Sequence, residues 1–355
     1  MNIHLMLNEK FASKFIELID EKYPKDSNIV YIYGNEGRNK DIISPNVKYI
    51  DDFSEVELNK LENSDKFFVH GFYWNSVIRY LYRIRKNFDS HPLVLIIWGA
   101  DLYDAKYKLS SSGVQLKLRI HEYLKKIVIR KACVFMTFAS PDYELAEKWY
   151  GAKGKQFDCL YPSNANIDLL DELKKESKYE SKTRILLGNS ATQTNLHFEA
   201  LDMMKHFADE NIEILCPLSY GDMKYGKEVE QYGKSLFGDK FVPIKDYMSP
   251  EDYSRLLNSV DVAVFNHNRQ QGTGNIEIIG YLGKKLYIRS DTTTWGHYVL
   301  RDKCAFYDSK KIGDMDFQNF IEITEQEKTN NENYFKQIWD LNYVKSLWDQ
   351  VMDYK

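Results

Sequence analysis

The chain has 355 residues, more than one hydrophobic core usually serves, so two domains are expected. Hydrophobic residues make up 43%, charged 28% and aromatic 14%, with only 18 Gly and 8 Pro, which excludes a disordered, collagenous or low-complexity chain. The net charge of −4 argues against a general nucleic-acid binder, whose affinity would come from cations displacing counterions along phosphates.

In chain order, short apolar runs at 3–7, 28–33, 66–70, 92–98 and 132–138 alternate with helix-like segments near 9–22, 54–62, 74–88, 114–131 and 140–150. Runs such as Leu93-Val94-Leu95-Ile96-Ile97 are apolar throughout, as expected of parallel strands covered on both faces. A polar stretch within 166–182 reads as a linker, after which the rhythm restarts. Strands are expected at 184–187, 213–216, 240–244, 261–265 and 285–288, and helices near 195–208, 224–236, 250–258, 275–282 and 315–327. The last segment, 331–355, carries Tyr334, Ile338, Leu341, Val344, Leu347 and Val351 at amphipathic spacing and is expected to pack back on the first domain. The resulting reading is α/β: two Rossmann-like, doubly wound domains, 1–165 and 183–330, facing a central cleft at the carboxyl ends of their strands.

Four cysteines, Cys133, Cys159, Cys216 and Cys304, are far apart and lack zinc-site spacing, so they read as buried thiols. The apolar run at the N-terminus is too short for a signal-peptide core, and no window approaches a membrane span, so a cytoplasmic location is expected. Two motifs are set aside. Gly233-Lys234-Ser235 has Glu228 where a P-loop's first glycine belongs, and Asp314-Met315-Asp316 has no buried strand before it, so each reads as ordinary helical sequence. No metal is expected.

The richest segment runs from Phe265 through Arg269, Gln270, Gln271, Gly272, Thr273 and Gly274 to Asn275, between a strand and a helix. Small residues admit a close ligand, the helix N-terminus offers free N–H groups and Arg269 adds a fixed cation, a set that suits a diphosphate. A second junction, Leu187-Gly188-Asn189-Ser190, leads to Thr194, Asn195 and His197; it either holds sugar or phosphate oxygens or simply caps a helix. A third, Cys216 to Gly221, offers Tyr220 for stacking. In the first domain, His70-Gly71 and Trp98-Gly99-Ala100-Asp101-Leu102-Tyr103 end strands where proton-transfer groups of α/β enzymes lie, although either His70 or Asp101 equally suits a structural role.

Charge is uneven, with 24 Lys and Arg against 21 Asp and Glu in 1–165, and 24 against 31 in 166–355. Arg83, Arg85, Lys117, Lys125, Lys126 and Arg130 belong to basic segments interleaved with Tyr, Leu and Ile. Such a patch suits an anionic lipid surface or a lipid-linked diphosphate, a solvated helix face, or RNA.

His-Gly at a strand end, then WGADLY, then Leu-Gly-Asn-Ser with Asn195-x-His197 close behind, then RQQGTG, together resemble the bacterial 4-acetamido-4,6-dideoxygalactosyltransferases of glycosyltransferase family 56. The similarity runs in order over nearly the whole chain. It implies the two-domain GT-B architecture and metal-independent transfer, without a cofactor, of a deoxyhexose from a TDP-sugar to a lipid-linked saccharide, as in enterobacterial common antigen synthesis. It also implies a peripheral position on the inner face of the bacterial inner membrane and no nucleic-acid partner. Carried onto this chain, it places the donor on Gly188, Asn189, Ser190, Tyr220, Gln270, Gln271, Gly272, Thr273, Gly274 and Asn275. Arg269 would stabilise the leaving group, and His70 or Asp101 would take the acceptor's proton, with Trp98 and Tyr103 on the acceptor side. Glu277 stands as a ribose ligand one residue out of the GT-B spacing, six before Gly283. A nucleotide-sugar epimerase of the same fold and a non-catalytic sugar-nucleotide binding protein are the alternatives.

Overall fold

The computed structural model describes residues 1–9, 11–34, 42–62, 65–72, 74–103, 116–176 and 182–354. The chain forms two units, Met1–Asn164 with Ile338–Lys355, and Ala165–Gln337.

The first unit is built on seven strands: β1 (Asn2–Leu7), β2 (Asn28–Tyr33), β3 (Val47–Ile50), β4 (Phe67–His70), β5 (Leu93–Ile97), β6 (Val134–Thr137) and β7 (Lys155–Asp158). Their order is β3-β2-β1-β4-β5-β6-β7, and every pairing is parallel. Alternate side chains enter two separate core layers: Ile3, Leu5, Tyr31, Val69 and Leu95 lie in one, Met6, Val30, Ile32, Phe68, Val94 and Ile96 in the other. Both faces of the sheet are therefore dry, which is why these strands read as unbroken apolar runs.

The second layer is completed by the helix Leu341–Met352, which brings Val344, Trp348 and Val351 back to the first unit. Trp348 is fully buried, lies 4.7 Å from the Phe15 ring, stacks on His70 at 5.8 Å and donates its indole N–H to Leu160 O at 2.9 Å. Lys22 and Lys345 pin the helix through Asp349 (2.6 Å) and Glu21 (2.9 Å).

The second unit holds β8 (Thr183–Leu187), β9 (Ile212–Pro217), β10 (Phe241–Ile244), β11 (Val262–Phe265), β12 (Lys285–Ile288) and β13 (Tyr307–Asp308), in the order β10-β9-β8-β11-β12-β13 and again all parallel. In each unit the strand order reverses beside the first strand, between β1 and β4 and between β8 and β11. Ligands of open α/β sheets bind at such switch points.

Several expectations need correction. The presumed linker 166–182 contains the helix Ile167–Lys174, whose Leu170 and Leu173 are buried and whose Asp171 accepts a 2.6 Å hydrogen bond from Tyr281. It is part of the second unit because its leucines fall on one face. The terminal segment 331–355 is not one helix: Glu325–Trp339 ends at Asp340, whose carboxylate caps Leu341–Met352 through Tyr343 N–H at 2.9 Å. The segment 54–62 forms two 3-10 turns, Phe53–Glu55 and Leu58–Lys60, and 315–327 is broken after Phe317–Ile321. Strands β3, β7 and β13 lie at sheet edges, where partial exposure or shortness removes the apolar signal. Gly233-Lys234-Ser235 sits inside the helix Met223–Phe237, and Asp316 caps Phe317–Ile321 by accepting from Asn319 N–H at 2.7 Å.

Because Trp348 fills the layer that closes over the first sheet, Trp348→Ala is expected to cost about 3–5 kcal/mol of unfolding free energy, read from the urea midpoint at constant slope. A loss under about 1 kcal/mol would show that the returning helix contributes little to that layer.

Candidate functional site

In the second unit the loops after β8, β9 and β11 are laced together at one end of the sheet. Gly188 follows β8 with φ +66°, and a Cβ there would stand 2.7 Å from His197 Nε2 and 2.8 Å from Asn195 Oδ1, so only glycine fits. The hub is the fully buried Asn195. Its Oδ1 accepts from Asn189 N–H at 3.0 Å and lies 2.9 Å from His267 Nε2, while its Nδ2 donates to Thr192 Oγ1 at 2.7 Å and to Ser190 O at 3.1 Å. Neither Thr194 nor Asn195 caps the helix His197–Met204, so the capping alternative fails for both.

Gln271 completes the lacing from the β11 side. Its Nε2 donates to Asn189 Oδ1 at 2.9 Å, and its Oε1 accepts from Thr194 Oγ1 at 2.6 Å. Asn189 Nδ2 donates to the Tyr220 hydroxyl at 3.1 Å, and Ala191 N–H donates to Tyr220 O at 2.8 Å, which ties in the third loop. His267 lies beneath, its Nδ1 3.1 Å from Gln271 O. Burial above all holds its pKa down at about 3, so its ring is neutral at pH 7 and donates its single N–H to one of the two oxygens it faces, Asn195 Oδ1 or Gln271 O.

Over this network the helix Thr273–Tyr281 begins. Its N-cap is Gly272 at φ +66°, with no side-chain cap, and a Cβ there would lie 3.0 Å from His267 Cε1. A Cβ on Gly274 would meet nothing within 4 Å, so the first turn of the helix faces open space. Arg269 is half-buried, and its Nε is enclosed without a hydrogen-bond partner. Among the described residues no carboxylate pairs with it. Free amides, a helix dipole and an unneutralised guanidinium on one edge form a site for an anion.

The structure thus gathers Gly188, Asn189, Ser190, Tyr220, Arg269, Gln270, Gln271, Gly272, Thr273 and Gly274 at the switch point of the second sheet. Asn275 joins them and donates to Tyr253 OH at 2.9 Å. Glu277 stands further along the same helix, its Oε1 accepting from the Tyr298 hydroxyl at 3.5 Å. Asn195, expected as an oxygen ligand or a helix cap, is instead the structural hub, and His267, which lies inside the segment 265–275, was not singled out by its residue type.

The first unit overturns several expectations. His70 is fully buried, with both ring nitrogens engaged, Nε2 at 3.0 Å from His4 and Nδ1 at 2.5 Å from Tyr161 OH. Burial drives its pKa well below the usual value, so it is a core strut and not an acceptor-facing base. Asp101 is also fully buried, and its carboxylate accepts the backbone N–H groups of Phe72 and Trp98. Burial raises its pKa to about 6 against those bonds, yet both oxygens are committed to holding the loops after β4 and β5. Tyr103 is buried and donates to Asp142 Oδ1 at 2.7 Å, which removes it from the acceptor surface.

Lys125 is buried as well. It donates to Asp101 O at 2.7 Å and pairs with Glu122 at 3.0 Å, so it cannot meet a membrane. Arg85 lies half-buried over the Tyr82 ring, and Arg130 donates to Tyr150 O at 3.0 Å while remaining exposed; Arg83, Lys117 and Lys126 are exposed. Trp98 remains half-buried at the carboxyl end of β5. Asn8, not anticipated, follows β1 at the switch point of the first sheet with its Oδ1 buried and without a hydrogen-bond partner.

Burial lowers the pKa of His4 and His197 to about 4 and that of His267 to about 3, from the ordinary 6.5. The unfolded chain therefore binds more protons than the folded one below about pH 6.5, and stability falls as pH drops, by about 1.4 kcal/mol per histidine per unit until each folded pKa is reached. Urea midpoints measured from about pH 7 down to about pH 5 are expected to fall steeply; a flat profile would overturn the assignment of neutral buried rings.

A family model described as 4-alpha-L-fucosyltransferase glycosyl transferase group 56 matches residues 51–350. Among solved structures, sucrose-phosphate synthase from Thermosynechococcus elongatus is similar with a TM-score of 0.68 at 7% identity, over 99% of this chain and 98% of that one. A UDP-forming alpha,alpha-trehalose-phosphate synthase from Burkholderia xenovorans, in complex with glucose-6-phosphate, gives 0.65 at 8% identity over 99% of both chains. The N-terminal domain of Candida albicans trehalose-6-phosphate phosphatase gives 0.65 at 12% identity, over 99% of this chain and 96% of that one. At such identities the structural likeness speaks to the fold, which is GT-B. With its group-specific match over most of the sequence, the chain belongs to glycosyltransferase group 56 and is a glycosyltransferase enzyme.

Proposed function

We propose that the protein transfers a 4-acetamido-4,6-dideoxyhexose from a TDP-sugar to a lipid-diphosphate-linked saccharide, in the synthesis of a bacterial surface polysaccharide. The observation that carries this reading is the uncapped N-terminus of Thr273–Tyr281 beside the unpaired Arg269. The diphosphate of the donor lies against these amides, held on one side by the Asn189–Gln271 pair. As the glycosidic bond breaks, negative charge grows on the departing phosphate oxygens, and the helix dipole and Arg269 meet it without moving. In this reading transfer needs neither metal nor cofactor, because fixed cationic and N–H groups of the protein take the charge.

A deoxyhexose donor is supported by the description of the group as fucosyltransferases, and a nucleoside diphosphate leaving group by the UDP-forming synthase of similar fold. Thymidine as the base and a lipid-linked acceptor rest on the motifs His70-Gly71, WGADLY and RQQGTG. On the acceptor side Trp98 and Asn8 stand at the carboxyl edge of the first sheet, where polar and aromatic groups suit a saccharide. Among the described residues no helix is long and apolar enough to cross a membrane, and the proposed location is peripheral, at the inner face of the inner membrane.

Arg269→Ala is expected to lower kcat about 10²–10³-fold, with a smaller change in the acceptor KM, in an assay of nucleotide release from the TDP-sugar. Unchanged turnover would remove Arg269 from the leaving-group role. In a thermal-shift series TDP is expected to stabilise the protein more than UDP or GDP; a preference for GDP would overturn the thymidine assignment.

A further inference from the structure

The helix Leu116–Lys131 turns His121, Lys125, Val128 and Ile129 into the first unit. Leu116, Ile120 and Tyr123 remain 72%, 49% and 64% exposed. Their spacing of four and three residues puts them on one stripe, and the helical period puts that stripe roughly opposite the buried face. Among the described residues nothing covers it, and apolar residues so placed lose contact with the core they would otherwise join.

The charges around the stripe are of one sign. Arg119, Lys126 and Arg130 run along one flank and Lys117 along the other, all exposed. The helix has a single acid, Glu122, which is half-buried and paired with Lys125. Among the described residues Lys117, Arg119 and Lys126 have no ion-pair partner. A tyrosine and two aliphatic side chains framed by cations, with no exposed carboxylate on the helix itself, match the boundary of an anionic bilayer: apolar groups enter below the headgroups and cations stay among the phosphates.

We propose that the exposed stripe Leu116, Ile120 and Tyr123 is the element by which this enzyme docks on an anionic lipid surface, with the helix lying in the plane of the headgroups. The assignment rests on the lipid-linked acceptor reading and adds to it: the basic segments alone give long-range attraction, whereas the stripe gives a salt-resistant anchor. It also leaves Lys125, the one cation on the opposite face, as part of the interior.

The test is co-sedimentation of the full chain with phosphatidylcholine vesicles, with and without about one third phosphatidylglycerol, at low and high salt. The wild type is expected to bind the anionic vesicles and to retain part of that binding at high salt. The double variant Ile120→Asp, Tyr123→Asp is expected to bind at least tenfold more weakly at both salt concentrations, and Lys117→Gln, Lys126→Gln to weaken binding mainly at low salt, each with an unchanged circular dichroism spectrum. Equal binding by the aspartate variant and the wild type would overturn the proposal, as would a wild-type dimer that the aspartate pair converts to monomer. TDP release in the Arg269 assay, run with a water-soluble acceptor saccharide, reads the transfer reaction independently of vesicle binding. A wild type that transfers but fails to bind anionic vesicles would therefore condemn the stripe alone, and a wild type that docks without transfer the catalytic reading alone.

Discussion

A parallel sheet covered on both faces forces every strand of a unit to end on the same edge, and the chemistry of this protein follows from what the chain places on that edge. In the second unit the loops after β8 and β11 diverge from neighbouring strands, and a buried amide, Asn195, spans the gap. Because its oxygen faces Asn189 N–H and the His267 ring while its nitrogen holds Thr192 and Ser190, neither loop moves without breaking bonds that water cannot replace. The stiffness of the anion site is the stiffness of this network.

The two units use the same edge differently. In the second, polar side chains bond to one another and leave the helix N-terminus of Thr273–Tyr281 without a side-chain cap and Arg269 Nε without a partner, a state that favours a bound anion. In the first, the corresponding polar groups are turned inward. His4, His70 and Tyr161 form a buried chain under Trp348, and Asp101 stitches the loops after β4 and β5 to one another. That interior lattice supports the edge from below, and among the described residues Trp98 and Asn8 stand at it.

Much of this was legible in the residues. Continuous apolar runs such as Leu93 to Ile97 mark buried parallel strands, and glycines beside amide and hydroxyl groups mark the turns where the chain leaves them. Edge strands such as Lys155–Asp158 were not legible, since a half-solvated strand carries the same residue types as a loop. Nor was the fate of His70 and Asp101, because a polar residue at a strand end has one sequence signature whether it faces solvent or a neighbouring loop. Lys125 illustrates the same limit: lysine is read as solvated by default, and only the arrival of Asp101 O, Glu122 and the Tyr150 ring makes burial tolerable.

The sequence by itself determined the doubly wound class, the two-domain division, the strand-to-helix junctions that carry Gly188 and Gly272, and the group 56 signature. These depend on local periodicity and on backbone conformations that few residues tolerate, so they survive without knowledge of partners. Tertiary structure alone decided that Ile167–Lys174 belongs to the second unit, that His70 and Asp101 are interior braces, and that Leu116, Ile120 and Tyr123 are left outside. Each of those outcomes turns on which surface meets which across long separations in sequence, where burial is a property of the pair and not of the residue.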